Sequence, residues 1–259
     1  MPDLSQWLAQ QTLIQGGLPV LAVALFGALC VGTAKAGLSA TATLNVVLMA
    51  RVFGAKTSVG LVLPLLIAAD MMGFWINRHG GSWRRVLPMA PPAMLGVIVG
   101  AQLLAVIDNG VARVVIGWII IGLLAFKLLL DARREALISL TEHRAFTWAM
   151  GFTAGTTTML ANAAGPVMAV YLLAQRLPKK EYLGVWSRFF LFINLFKVPF
   201  SANLGLISPT SLATNAVLLP GVVAGILLGW WLLTHIPQAA FEWLLFAMTF
   251  VAALSLLVG

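Results

Sequence analysis

Charge is what this sequence has least of. Asp, Glu, Lys and Arg make up 9% of its 259 residues, where a soluble domain carries about 25%. So few charges cannot cover the surface of a water-soluble protein of this length. Hydrophobic residues supply 61%, which places the chain among multi-pass proteins of the cell (cytoplasmic) membrane, with the lipid bilayer as its surroundings. Cysteine is nearly absent. The single Cys30 lies in an apolar run, and one thiol makes neither an internal disulfide nor a thiolate metal cage, so it reads as a small packing residue. The first fifteen residues hold only Asp3 and no basic stretch; no cleaved signal peptide is expected, and the first span directs insertion itself. Catalytic signatures are missing too. His79, His143 and His235 are far apart, and HExxH, CxxC, GxSxG and Walker A patterns do not occur. No enzyme activity, metal or cofactor is therefore expected. The net charge of +8 reads as basic cytoplasmic loops and not as a nucleic-acid surface, because no Lys/Arg cluster with interleaved aromatics stands apart from the spans.

What is present is a series of about ten apolar runs, approximately 17–34, 37–50, 58–77, 88–107 and 112–130, then 145–160, 163–175, 183–202, 211–235 and 239–258. A spanning helix needs roughly 20 apolar residues. The first two runs of each half are short and rich in Gly and Thr, and the last three are full length. A shift of 124 positions places Gly27 on Gly151, Thr33 on Thr157, Val46 on Val170, Leu48 on Leu172, Ala50 on Ala174, Lys56 on Lys180 and Gly60 on Gly184. The expected fold is an all-α polytopic membrane protein of two inverted repeats. Each has a short broken-helix pair followed by three full transmembrane helices, for about 8–10 membrane segments. Residues 1–130 and 145–259 form the halves. The polar connector 131–144 links them and is the only long polar stretch.

Loop charge gives the orientation. Arg78, His79, Arg84 and Arg85, the Arg-rich connector, and Arg176, Lys179 and Lys180 are expected inside. The uncharged loop Ser201 to Thr210 and the C-terminal tail are expected outside. With each short pair making a net return, as a hairpin of half-helices or as two spans, each half makes three net crossings and both termini are expected outside. Arg51 and Lys56 would fall on the outer side against the charge rule. Their match to the 176–180 cluster under the repeat accounts for them. Trp7, Trp83, Trp230, Trp231 and Trp243 read as interface or packing aromatics.

The short runs carry the polar residues that suit a binding site: Lys35, Gly37, Ser39, Thr41 and Asn45 in the first copy, and Thr157, Asn162, Gly165, Pro166 and Arg176 in the second. Proline in the first helical turn wastes no hydrogen bond, so a helix is expected to start at Gly165-Pro166. Its free N–H groups beside Asn162 would favour an anion. Small and hydroxyl residues also serve close helix packing, and that is the bland reading for Thr43 or Thr158 alone. Lys35 either caps a hairpin tip at a membrane face or lies deep and attracts an anion. Asp70, near the centre of its run, cannot snorkel and must face protein or water. It is either a proton-coupling group or half of an ion pair with Arg188 or Lys197, and the repeat sets Asn194 opposite it. Lys197 and Arg188, nine positions apart, can snorkel from either end of their run.

With Gly151-Phe-x-x-Gly155, Asn162-Ala-Ala-Gly165-Pro166, Leu177-Pro-Lys-Lys180 and Gly184, the chain resembles the TauE/SafE family of sulfite exporters over essentially its whole length. The resemblance implies a secondary transporter exporting small anions such as sulfite or sulfoacetate by alternating access. In the first half, where the family carries a Gly-Gly-Gly-type run, this sequence has Lys35-Ala-Gly37-Leu-Ser-Ala, so substrate identity is expected to reside there. The partner implied is a small anion, and a homodimer is the one further association admitted. A membrane enzyme acting on lipid or quinone would need an acid/base or metal cluster. An assembly subunit would need a stoichiometric partner.

Overall fold

The computed structural model describes residues 8, 10–36, 38, 40–132, 143–175, 177–235 and five positions of the last run, Ala247, Phe250, Val251, Leu254 and Leu257. Among the described residues all regular structure is helical. The elements are α1 (Gly17–Ala36), α2 (Ala40–Phe53), α3 (Ala55–Ile76), the single turn α4 (Trp83–Val86), α5 (Ala90–Val106), α6 (Asn109–Ala132), α7 (Arg144–Ala161), α8 (Gly165–Ala174), α9 (Lys179–Asn203) and α10 (Pro209–His235). Nine of the ten apolar runs are helices among the described residues, and most of the tenth, 239–258, lies outside them. Five of these, α1, α3, α6, α9 and α10, are long and apolar enough to cross a bilayer. Most of the connector, from 133 to 142, lies outside the described residues.

The short pair of the first half is uneven: its first run, read as 17–34, forms α1, which has 20 residues and hydropathy for a full span. Its polar residues do not break it, because Thr33 returns its hydroxyl to the carbonyl of Cys30 within the helix (3.1 Å) and Lys35 occupies the last turn. The short members are α2 with 14 residues and α8 with 10, about 21 and 15 Å at 1.5 Å per residue, against a hydrocarbon core of about 30 Å.

The helix bounds follow the 124-residue shift closely: α1 maps onto α7, α2 onto α8, α3 onto α9 and α5 onto the middle of α10. Packing follows it as well. α1 lies chiefly on α10, and its counterpart α7 lies chiefly on α5. Both crossings are close because glycines meet backbone: a methyl on Gly32 would sit 2.1 Å from the carbonyl oxygen of Val222, and one on Gly155 would sit 2.0 Å from that of Ala93. Small residues are what let membrane helices approach this far.

At the centre α3 packs against α9, and the two run antiparallel. Near the start of α3, Gly60 faces Leu206 in the loop after α9, where a methyl would lie 2.2 Å from the Leu206 Cβ. Near the start of α9, Gly184 faces Gly80 in the loop after α3, at 2.0 Å from its carbonyl oxygen. Both loops turn through a left-handed glycine, Gly81 (φ 70°) and Gly205 (φ 68°), a conformation that costs glycine little. These two are 124 positions apart, as are Gly60 and Gly184.

Leu195, Trp118, Leu227 and Val106 are exposed on the outer helix faces, as expected of side chains that meet lipid tails.

Candidate functional site

Each short helix follows a break, and the two breaks are built alike. The Leu38 N–H bonds the Thr33 carbonyl (3.2 Å), and the N–H of Asn162, its counterpart, caps α7 on the carbonyls of Thr157 and Thr158. Asn162 takes the left-handed conformation there (φ 54°), a common helix ending that asparagine tolerates. α8 then starts at Gly165 with Pro166 in its first turn, as the sequence leads one to expect. The same Asn162 donates its amide to the Val59 carbonyl of α3 (2.9 Å), which ties the break of the second half to the central helix of the first.

The breaks open on one cavity. Its wall includes Lys35, Asn45, Thr158, Asn162, Gly165 and Asn194, with Trp186 and Phe190 among the apolar members. Behind the wall runs a chain of polar contacts across both halves. Lys35 Nζ lies 2.6 Å from Asp70 Oδ1 and over the Phe190 ring at 4.3 Å, a cation–π contact. Asn194 donates its amide to the other carboxylate oxygen, Oδ2 (2.7 Å). Lys197 Nζ donates to Asn162 Oδ1 (2.5 Å), to Thr158 Oγ1 (3.2 Å) and, at 3.5 Å, to Asn194 Oδ1. Asp70 is 1% exposed and Lys197 fully buried. A buried charge persists only if paired or well hydrogen-bonded. Asp70 has both, whereas Lys197 has neutral oxygens alone.

Four of the residues singled out from sequence, Lys35, Asn45, Asn162 and Gly165, therefore meet at one cavity, and Asn45 adds a buried Oδ1 with no partner there. Lys35 lies deep and not at a hairpin tip. Thr41 turns its hydroxyl to the Leu38 carbonyl, and Thr157 to the carbonyls of Thr153 and Ala154, so both serve helix ends and bonds. Pro166 is half-buried outside the wall. Gly37, Ser39 and Arg176 fall outside the described residues.

Two pairings differ from the sequence reading. The partner of Asp70 is Lys35 and neither Arg188 nor Lys197. Arg188 instead gathers carbonyl oxygens at one end of the bundle, from Gly80 and Gly184 through Nη1 and from Arg78 through Nη2, beside the exposed Arg85–Glu181 pair. Lys197 does not snorkel, because three oxygens from α7, α9 and the break between α7 and α8 hold its ammonium inside. The sequence offered one signal for it: Lys197 is three residues beyond Asn194 and shares its helix face. Trp186 and Phe190 gave no sign beyond being aromatic.

The family model described as sulfite exporter TauE/SafE matches residues 18–256. Neither a curated protein nor a solved structure matches the chain significantly.

Proposed function

The chain belongs to the sulfite exporter TauE/SafE family, a family of membrane transporters for sulfite and related anions and not of enzymes, and from that membership we propose that it exports small sulfur-containing anions such as sulfite or sulfoacetate by alternating access. The anion would bind in the cavity between the halves, against Lys35, Asn45, Thr158, Asn162, Gly165 and Asn194. The observation that carries this reading is the cation in the wall: Lys35 faces the cavity, and Lys197 stands directly behind three of its polar lining residues. Helix N-termini and unwound backbone at a repeat interface are where secondary transporters bind substrate. The inverted-repeat reading, with halves 1–130 and 145–259 about the connector 131–144, draws support from the antiparallel α3 and α9 and from their matching loop contacts. Thr41, Thr157 and Pro166 would shape the two breaks without touching the anion.

Purified protein in sealed vesicles should carry sulfite or sulfoacetate, and absence of flux for both would sink the proposal. Asn162→Ala removes a hydrogen bond to a buried ammonium, a bond of about 1.5–3 kcal/mol. It should cut flux by about tenfold or more while the protein still inserts. Gly165→Leu, which fills the cavity, should do the same. Unchanged flux in both variants would place the site elsewhere.

A further inference from the structure

We infer that the cavity is matched to a single net negative charge: a monoanion crosses alone, and a dianion crosses only together with a proton carried on Asp70. This rests on the transport reading above and adds the charge of the substrate and the coupling to it. Two ammonium groups and one carboxylate lie in one hydrogen-bonded chain closed from solvent, the side chains of Lys35 and Asp70 being 9% and 1% exposed and Lys197 0%. Both oxygens of Asp70 are engaged, one by Lys35 and one by Asn194. Lys197 pairs with no carboxylate among the described residues. With Lys197 held as an ammonium by its three oxygen acceptors, the centre carries one positive charge in excess, in a part of the molecule where bulk water cannot disperse it.

The surroundings do not alter that balance. From α1 comes Lys35; Cys30, five residues earlier, lies about 140° round that helix at 3.6 residues per turn. From α9 comes Lys197, while Arg188 on the same helix is held by backbone carbonyls. Lys56, on α3 itself, donates to the Ile107 carbonyl. The other helices packed on α3 carry their ionisable side chains toward their ends, among them Arg51, Arg113, Arg144 and His235.

Lys35 is the cation that an entering anion meets, and Asp70 is the group with which that anion competes. One negative charge brings the centre to neutrality. A second would overshoot by as much, unless Asp70 takes a proton from the side the dianion enters and returns it to water where the dianion leaves. Asn194 can follow the change because its neighbour remains an oxygen acceptor in either state.

The test uses the full chain in sealed vesicles with a pH-sensitive dye inside, methanesulfonate as the monoanion and sulfoacetate as the dianion. One proton should accompany each sulfoacetate and none should accompany methanesulfonate. Lys35→Gln makes the centre neutral, so methanesulfonate should then bring one proton with it. Asp70→Asn doubles the excess charge, so sulfoacetate should cross without a proton. The two variants move the stoichiometry in opposite directions, so if one does not fold the other still decides. Proton-free sulfoacetate movement through the wild-type protein, or proton-free methanesulfonate movement through Lys35→Gln, overturns the charge rule alone. No movement of either probe through the wild-type protein overturns the transport reading and the charge rule with it.

Discussion

Asp70→Ala is expected to destabilise the protein by about 3–5 kcal/mol, the cost of breaking a buried ion pair by removing one partner. Two buried ammonium groups, those of Lys35 and Lys197, are then left with no carboxylate between them. For a chain of this size that corresponds to a fall in melting temperature on the order of 10 °C. The double variant Asp70→Leu with Lys35→Met should recover most of the loss, because a buried pair replaced by apolar side chains of similar volume is often no less stable. Sulfoacetate should raise the melting temperature of Asp70→Ala more than that of the wild type, since a ligand that binds the folded state stabilises it and the variant holds a larger uncompensated charge. Thermal unfolding of the detergent-purified proteins decides both points. A double variant as unstable as Asp70→Ala would mean that the carboxylate matters for something other than its pairing with Lys35.

The second large effect belongs to the glycines where the central helices meet the loops. A side chain on Gly184 has no room, with the Gly80 carbonyl oxygen 2.0 Å from where its Cβ would stand, and both atoms belong to backbone that cannot rotate away. Gly184→Val should therefore cost at least the 1–3 kcal/mol or so typical of overpacking, measured as a lower melting temperature. Gly60→Val should cost a similar amount at the opposite end of α3, against Leu206. The two contacts are about 30 Å apart along that helix at 1.5 Å per residue, so their effects should add. A Gly184→Val protein that melts like the wild type would show that the loop does not rest on α9 as described.

Much of this fold was legible because the membrane imposes it. Runs long enough to span had to be helices, and Gly165-Pro166 after Asn162 had to interrupt one. Asp70 also declared that it needed a partner, since a short carboxylate that deep reaches no water. Which partner it takes was not legible. Lys35, Arg188 and Lys197 were all cations of uncertain depth, and depth is set by how α1, α7 and α9 pack, not by their own sequences. The bounds of α1 were legible to within two residues, 17–34 against Gly17–Ala36; hydroxyl residues such as Thr33 do not break it, because within a membrane helix they bond back to the preceding turn. The two breaks were visible as polar interruptions. That they share one cavity was not, because it depends on the Asn162 contact to Val59, 103 positions away.

The hydrogen bond between Asp70 and Asn194 spans a sequence separation of 124 residues, the same interval that relates the halves. Under that shift each residue is the other's counterpart, and the two meet between α3 and α9. A faithfully duplicated chain could not build this contact. Two aspartates there would set carboxylate against carboxylate and have to share a proton, while two asparagines would leave Lys35 and Lys197 with no counter-ion at all. At this contact the two positions differ, with Asp70 supplying the acid and Asn194 the amide. A single oxygen-for-nitrogen difference between these two positions supplies both the carboxylate that pairs with Lys35 and the amide that holds it.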